Sequence, residues 1–67
     1  MDYQKLMGKT INILCMFGNS KVPIYYDAVV IDVPDNKHII IIDRFGTEII
    51  LDIDSIKQIK IIGDDLH

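Results

Sequence analysis

The stretch Lys37–Ile62, KHIIIIDRFGTEIILDIDSIKQIKII, decides the fold of this chain. Its three apolar runs are separated by two polar breaks, the first at 43–47 (DRFGT) and the second at 54–55 (DS). β-Branched side chains favour strands, whereas Asp, Gly and Ser favour turns. The second break lacks Gly and Pro and is short, so Asp54–Ile56 is predicted to form one tight turn of 3₁₀ type. The stretch therefore predicts three adjoining strands, the last two joined by a one-turn corner.

Two further strands are predicted before this stretch. Residues 10–17 alternate, with Ile11, Ile13 and Cys15 on one face. Residues 24–33 are apolar on both faces, and so long a strand usually bends and serves two parts of a barrel. The five predicted strands are 10–17, 24–33, 38–43, 47–53 and 57–62. We expect a mostly β chain with one domain: a short helix at 1–8, a five-stranded small barrel at 9–62 and a polar tail at 63–67.

The length of the chain limits its stability. A single core in 67 residues rarely supplies more than about 3–5 kcal/mol. Cys15 is the only cysteine, and no Cys/His cluster forms a structural metal site, so neither disulfides nor zinc can reinforce the core. The hydrophobic fraction of 49% and the mean hydropathy of +0.25 are high for so small a domain. We therefore expect a homo-oligomer.

The candidate oligomer interface consists of apolar side chains on the faces opposite the predicted core. Together they would form an exposed patch larger than monomers usually tolerate. The fourth and fifth strands add open edges, which pair readily with other strands. The interface candidates are Leu14, Val30, Ile40, Ile50 and Ile62.

Charge and hydropathy restrict the partners. The net charge of −3 provides no overall positive field, so any RNA binding would have to be local. No segment approaches the ~20 apolar residues needed to cross a bilayer. The first ten residues, MDYQKLMGKT, lack the basic region and apolar core of a signal peptide. The sequence predicts a cytoplasmic protein without a membrane partner.

The sequence contains no residue set that specifies a reaction, so we expect no enzyme activity, no cofactor and no bound metal. Cys15 lies on the apolar face of a strand, which favours burial over a nucleophilic role. His38 is best explained as a polar residue at a strand end. The run Asp52–Asp54 lacks the glycine and the distal glutamate of a calcium loop. The glycines are scattered and form no phosphate-binding loop.

Two segments resemble the sequence motifs of Sm-like proteins, which are SH3-like small barrels. Residues 27–42 (DAVVIDVPDNKHIIII) are similar to the first Sm motif, and residues 48–59 (EIILDIDSIKQI) to the second. The order of helix, bent strands and corner is also similar. The resemblance implies a ring in which the fourth strand of one protomer pairs with the fifth strand of the next. It also implies RNA binding by the loops after strands two and four.

The RNA-binding residues of the family are only partly present. In the first loop Asp35, Asn36 and His38 correspond to the Asp, Asn and aromatic or His positions of Sm-like proteins, in a different order. In the second loop Asp52 and Asp54 stand in place of the usual Arg-Gly pair, and carboxylates repel phosphate. Lys37 and Arg44, on turns expected to be neighbours, add positive charge, and Phe45 adds a ring for stacking. The candidate nucleic-acid contacts are Asp35, Asn36, Lys37, His38, Arg44 and Phe45.

Two functions remain open from the sequence. The first is a non-enzymatic, self-assembling small-barrel interaction module whose partner is a protein. The alternative is an Sm-like RNA-binding protein that acts as an oligomeric ring. The acidic charge and the missing Arg-Gly pair favour the first.

Overall fold

The chain folds into one antiparallel sheet of five strands, in the order β4-β3-β2-β1-β5. This computed structural model describes residues 2–19 and 21–64. The strands are β1 (Lys9–Cys15), β2 (Ile24–Asp32), β3 (His38–Asp43), β4 (Glu48–Asp52) and β5 (Ile56–Asp64). The expectation of a mostly β domain with five strands is confirmed.

Strand β2 bends and pairs with two neighbours in succession. It pairs with β1 from Ile24 to Val29, and with β3 from Ala28 to Asp32. A register shift between Val30 and Asp32 marks a bulge, and bulges bend strands. The predicted bend of this long strand is thus confirmed.

The corner between β4 and β5 is one 3₁₀ turn, Ile53–Ser55, as the polar break predicts. It is fixed at both ends by backbone hydrogen bonds. The amide of Ile53 donates to the carbonyl of Lys37 at 2.8 Å, and the amide of Met16 donates to the carbonyl of Ser55 at 2.9 Å. The sheet nevertheless stays open, because β4 and β5 are its two edges and pair with β3 and β1. What the structure shows is a five-stranded open sheet.

The core is built from the inward faces of β1, β2, β3 and β4. Tyr3, Phe17 and several isoleucines pack around it. The buried side chains are Leu6, Ile11, Ile13, Cys15, Ala28, Val30, Val33, Ile39, Ile41 and Leu51.

Val30 was predicted to belong to the oligomer interface, and this assignment is wrong. Its side chain is fully buried, with no exposed surface. Alternation along β2 places Val30 on the inward face with Ala28, and the bulge that follows returns Val33 to the same core. When a strand is apolar on both faces, the sequence alone does not show which of the two faces points toward the core.

The predicted N-terminal helix is a single 3₁₀ turn, Tyr3–Leu6. Asp2 caps this turn, because its carboxylate accepts a hydrogen bond from the amide of Gln4 at 3.1 Å. Leu6 is buried and anchors the turn. The amide of Gly8 already donates to Val30, so β1 pairing begins too soon for a longer helix.

The last strand extends further than predicted. Gly63 and Asp64 belong to β5, since Thr10 pairs with Gly63 and Lys9 with Asp64. The remainder of the predicted tail, 65–67, lies outside the described residues. No helix in the described part of the chain is long and apolar enough to span a membrane.

Candidate binding surfaces

The turn between β2 and β3 is organised by Asp35. Its carboxylate accepts hydrogen bonds from the amides of Lys37 and His38, both at 2.8 Å. The hydrogen bond from the Lys37 amide, followed by that from the His38 side chain, lowers the pKa of Asp35. Asp35 is therefore a turn-forming residue whose acceptor capacity is largely used within its own loop.

His38 lies between two carboxylates. Its Nδ1 is 3.0 Å from Oδ1 and Oδ2 of Asp35, and its Nε2 is 3.2 Å from Oδ1 of Asp52. A neutral imidazole donates from one nitrogen only, whereas an imidazolium donates from both. This arrangement links the β2–β3 turn to the end of β4, and it surrounds His38 with negative charge that disfavours a phosphate.

The turn between β3 and β4 is held by Asp43. Its carboxylate accepts hydrogen bonds from the amides of Phe45 and Thr47, each at 2.9 Å, and Gly46 closes the turn with a positive φ of 82°. Phe45 is 80% exposed, and the guanidinium carbon of Arg44 lies 5.2 Å from its ring centroid. This turn presents one cation and one aromatic ring to solvent.

The six predicted nucleic-acid contacts do not form one surface. Asp35, Asn36, Lys37 and His38 lie at the start of β3, whereas Arg44 and Phe45 follow its end. A six-residue strand spans about 20 Å, so the expectation that Lys37 and Arg44 occupy neighbouring turns is wrong. The β2–β3 turn instead lies next to the acidic corner after β4, because the amide of Ile53 donates a hydrogen bond to the carbonyl of Lys37.

A shallow recess of about 120 Å³ lies beside the exposed ring of Phe45. The sequence alone does not reveal that two carboxylates line this recess, because Asp27 and Asp43 are brought together only by the pairing of β2 with β3. The lining residues are Tyr25, Tyr26, Asp27, Asp43, Arg44 and Phe45.

The remaining candidate interface residues differ in exposure. Ile50 on β4 is 67% exposed and Ile62 on β5 is 58% exposed, whereas Leu14 and Ile40 are half-buried. Ile61 on β5 pairs with the buried Ile11 yet is itself exposed, because it lies on an edge strand that nothing covers.

The two edge strands carry opposite charge. On β4 the charged side chains are Glu48 and Asp52, while on β5 they include Lys57 and Lys60, all four exposed. Only the strand order shows that they occupy the two open edges of one sheet.

The described residues offer little reactive chemistry. Cys15 is fully buried, and burial raises the pKa of its thiol, partly offset by a hydrogen bond with the Ser55 side chain. Within residues 2–19 and 21–64, no group of three or more His, Cys, Asp or Glu side chains is placed to hold a metal ion.

Comparisons with protein-family models, with curated proteins and with solved structures find no match for this chain. The features of this chain that bear on its function are the two sheet edges and the two turns that flank β3.

Proposed function

We propose that this chain is a non-enzymatic interaction module that assembles with copies of itself through the edges of its sheet, and that its further partner is a protein. The observation that carries the proposal is the pair of open edges, β4 and β5, each bearing exposed isoleucine. An unpaired edge strand offers a row of backbone donors and acceptors to a strand of another molecule. Ile50, Ile61 and Ile62 would lose their contact with water in such a pairing.

The charges on the two edges determine which edges meet. Pairing β4 with β4 would bring Glu48 and Asp52 of both copies together, and pairing β5 with β5 would do the same for Lys57 and Lys60. Like charges on adjacent strands destabilise a sheet, whereas opposite charges stabilise it. The favoured contact is therefore β4 of one copy with β5 of the next.

A contact between two different edges is heterologous, so repeating it forms either a closed ring or an open filament. The resemblance to Sm-like proteins implies the same pairing and a ring. A closed ring of such contacts would join the sheets of neighbouring copies and leave neither β4 nor β5 as an open edge. This SH3-like or Sm-like assembly is the architecture we propose.

The experiment reverses one charge on each edge and measures the mass by light scattering after size-exclusion chromatography. We expect Glu48→Lys alone and Lys60→Glu alone to assemble more weakly than the wild type, because each places like charges across the contact. An equimolar mixture of the two variants should recover the wild-type mass, since every contact between unlike copies is again complementary.

Lys21→Glu is the matched control, because Lys21 is exposed in the β1–β2 loop and belongs to neither edge. It makes the same charge change as Lys60→Glu and should leave the assembly mass unchanged. A wild-type mass of 7.7 kDa at every concentration, or a mixture that assembles no better than its components, would contradict the proposal.

The alternative function is an Sm-like ring that binds RNA. It is favoured by the exposed Phe45 with Arg44 above its ring, and disfavoured by the carboxylates around His38. Fluorescence anisotropy with labelled oligo-U and oligo-A at two salt concentrations tests it, because phosphate binding weakens steeply with salt. Submicromolar binding that Lys37→Glu or Arg44→Glu abolishes would replace the protein-partner proposal.

A further inference from the structure

Strand β2 has a third open edge, separate from β4 and β5. Its pairing with β1 extends back to Ile24, whereas its pairing with β3 begins only at Ala28. The segment Ile24–Asp27 therefore has a strand neighbour on one side only. In an antiparallel ladder about half of the backbone groups of such a segment point away from the existing partner.

The space beside this segment has aromatic walls. The recess described above is lined on one side by Tyr25, Tyr26 and Asp27 of this segment, and on the other by the end of β3 and the turn that follows it. Tyr25 is 63% exposed on one wall, and Phe45 projects from the other. Two exposed aromatic rings beside an open strand edge provide apolar contact area for the side chains of an incoming strand.

Arg44 supplies the only positive charge among the residues that line the recess. Among residues 2–19 and 21–64 it forms no ion pair, and its guanidinium is held over the ring of Phe45. The two carboxylates in the recess lining accept hydrogen bonds from other groups: Asp27 accepts one from Asn12 at 2.7 Å, and Asp43 accepts two from its own turn. A guanidinium fixed beside an aromatic ring binds a carboxylate with two parallel hydrogen bonds.

We infer that this edge binds an extended peptide of a partner protein that carries a carboxylate next to an apolar side chain. The peptide adds to Ile24–Asp27 as a strand, its apolar side chain packs on Tyr25 and Phe45, and its carboxylate pairs with Arg44. The site does not depend on self-assembly, because it uses neither the β4 edge nor the β5 edge.

A peptide fits this site better than a nucleic acid does. Asp27 and Asp43 line the same recess, and the chain carries a net charge of −3. A single carboxylate can reach Arg44 between these side chains, whereas a chain of phosphates would place further negative charge beside them. The open backbone edge also offers hydrogen-bonding groups at the spacing of a β-strand. An extended polypeptide carries complementary groups at the same spacing, whereas a sugar-phosphate chain does not.

The test uses the full chain and a fluorescein-labelled peptide, SVEVFVES, in an anisotropy titration. We expect Arg44→Glu to weaken binding about tenfold, because a charge-assisted pair is replaced by repulsion. The matched control Lys37→Glu makes the same type of change at the other end of β3, and we expect it to shift the affinity by less than about twofold. Tyr25→Ala should weaken binding without changing the charge.

Changes in the peptide test the two other features of the site. Replacing both glutamates by lysine (SVKVFVKS) should reverse the preference, so that this peptide binds Arg44→Glu better than it binds the wild type. Replacing the phenylalanine by proline (SVEVPVES) removes one backbone donor and should weaken binding. Hydrogen exchange followed by mass spectrometry should show that SVEVFVES protects Ile24–Asp27.

Several results would overturn the inference. These are the absence of binding at millimolar peptide, binding that does not respond to Arg44→Glu, and protection confined to Glu48–Asp52 or Ile56–Asp64. Labelled oligo-U that binds through Arg44 and Tyr25, with no binding of SVEVFVES, would assign the surface to nucleic acid instead.

Discussion

At the scale of single residues, Val30 and Ile50 are similar side chains with opposite environments. Val30 is fully buried and Ile50 is 67% exposed. We predict that Val30→Ala lowers the free energy of unfolding by about 2 kcal/mol, because it leaves a cavity in the core. Ile50→Ala should change it by less than about 0.5 kcal/mol in dilute solution, where assembly contributes least. Urea unfolding of both variants makes the comparison, and equal losses would contradict the inward phase of β2.

Asp35 gives the β2–β3 turn a defined response to pH. Because the pKa of Asp35 is lowered in the folded chain, its ionised carboxylate stabilises the turn at pH values above the ordinary aspartate pKa of about 3.9. This stabilisation is lost as the pH falls through the lower pKa that Asp35 has in the folded chain. We predict that the amide resonances of Lys37 and His38 move together below about pH 4. The movement should be absent in Asp35→Asn, whose amide keeps an acceptor oxygen and does not titrate. A midpoint above the ordinary value would contradict the role assigned to this carboxylate.

At the scale of elements, the β3–β4 hairpin depends on the backbone of Gly46. Its φ of +82° lies in the left-handed region, and an added Cβ would meet no atom within 4 Å. The cost of Gly46→Ala is therefore conformational only, and we predict a loss of about 1–2 kcal/mol in the free energy of unfolding. Gly63→Ala is the matched control, because Gly63 also has open space around it and no positive φ. Urea denaturation should separate the two, and a neutral Gly46→Ala would show that the turn adopts another shape.

Much of this element structure was predictable from the sequence, and particular residues show where prediction stops. Alternation placed Ile11, Ile13 and Cys15 inward, and the short polar break predicted a 3₁₀ corner at Asp54–Ile56, one residue away from the observed Ile53–Ser55. Which face of β2 points toward the core was not predictable, because the bulge after Val30 depends on pairing with β3. The separation of Lys37 from Arg44 was predictable, because the predicted strand 38–43 already lies between them and places them at its opposite ends.

At the scale of the whole molecule, the open sheet explains why a chain this small has so many exposed isoleucines. The inward residue Ile61 is uncovered because no strand lies beyond β5. Placing β4 of a neighbouring copy there would cover Ile61, satisfy the free backbone groups of β5 and bring opposite charges together. Three separate features of β5 thus favour the same contact.

Such a contact would make the stability of the protein depend on its concentration. The proposed assembly would involve the folded chain only, so each tenfold rise in protein concentration would add about 1.4 kcal/mol per interface to the free energy of unfolding. For a domain of this size we predict that the urea midpoint rises by roughly 1 M over that range. Circular dichroism at protein concentrations differing by about a hundredfold measures it. Lys60→Glu should reduce the dependence, because it weakens the contact without touching the core. Identical midpoints for the wild type at all concentrations would show that the edges stay unpaired and that the sheet is stable as a single open layer.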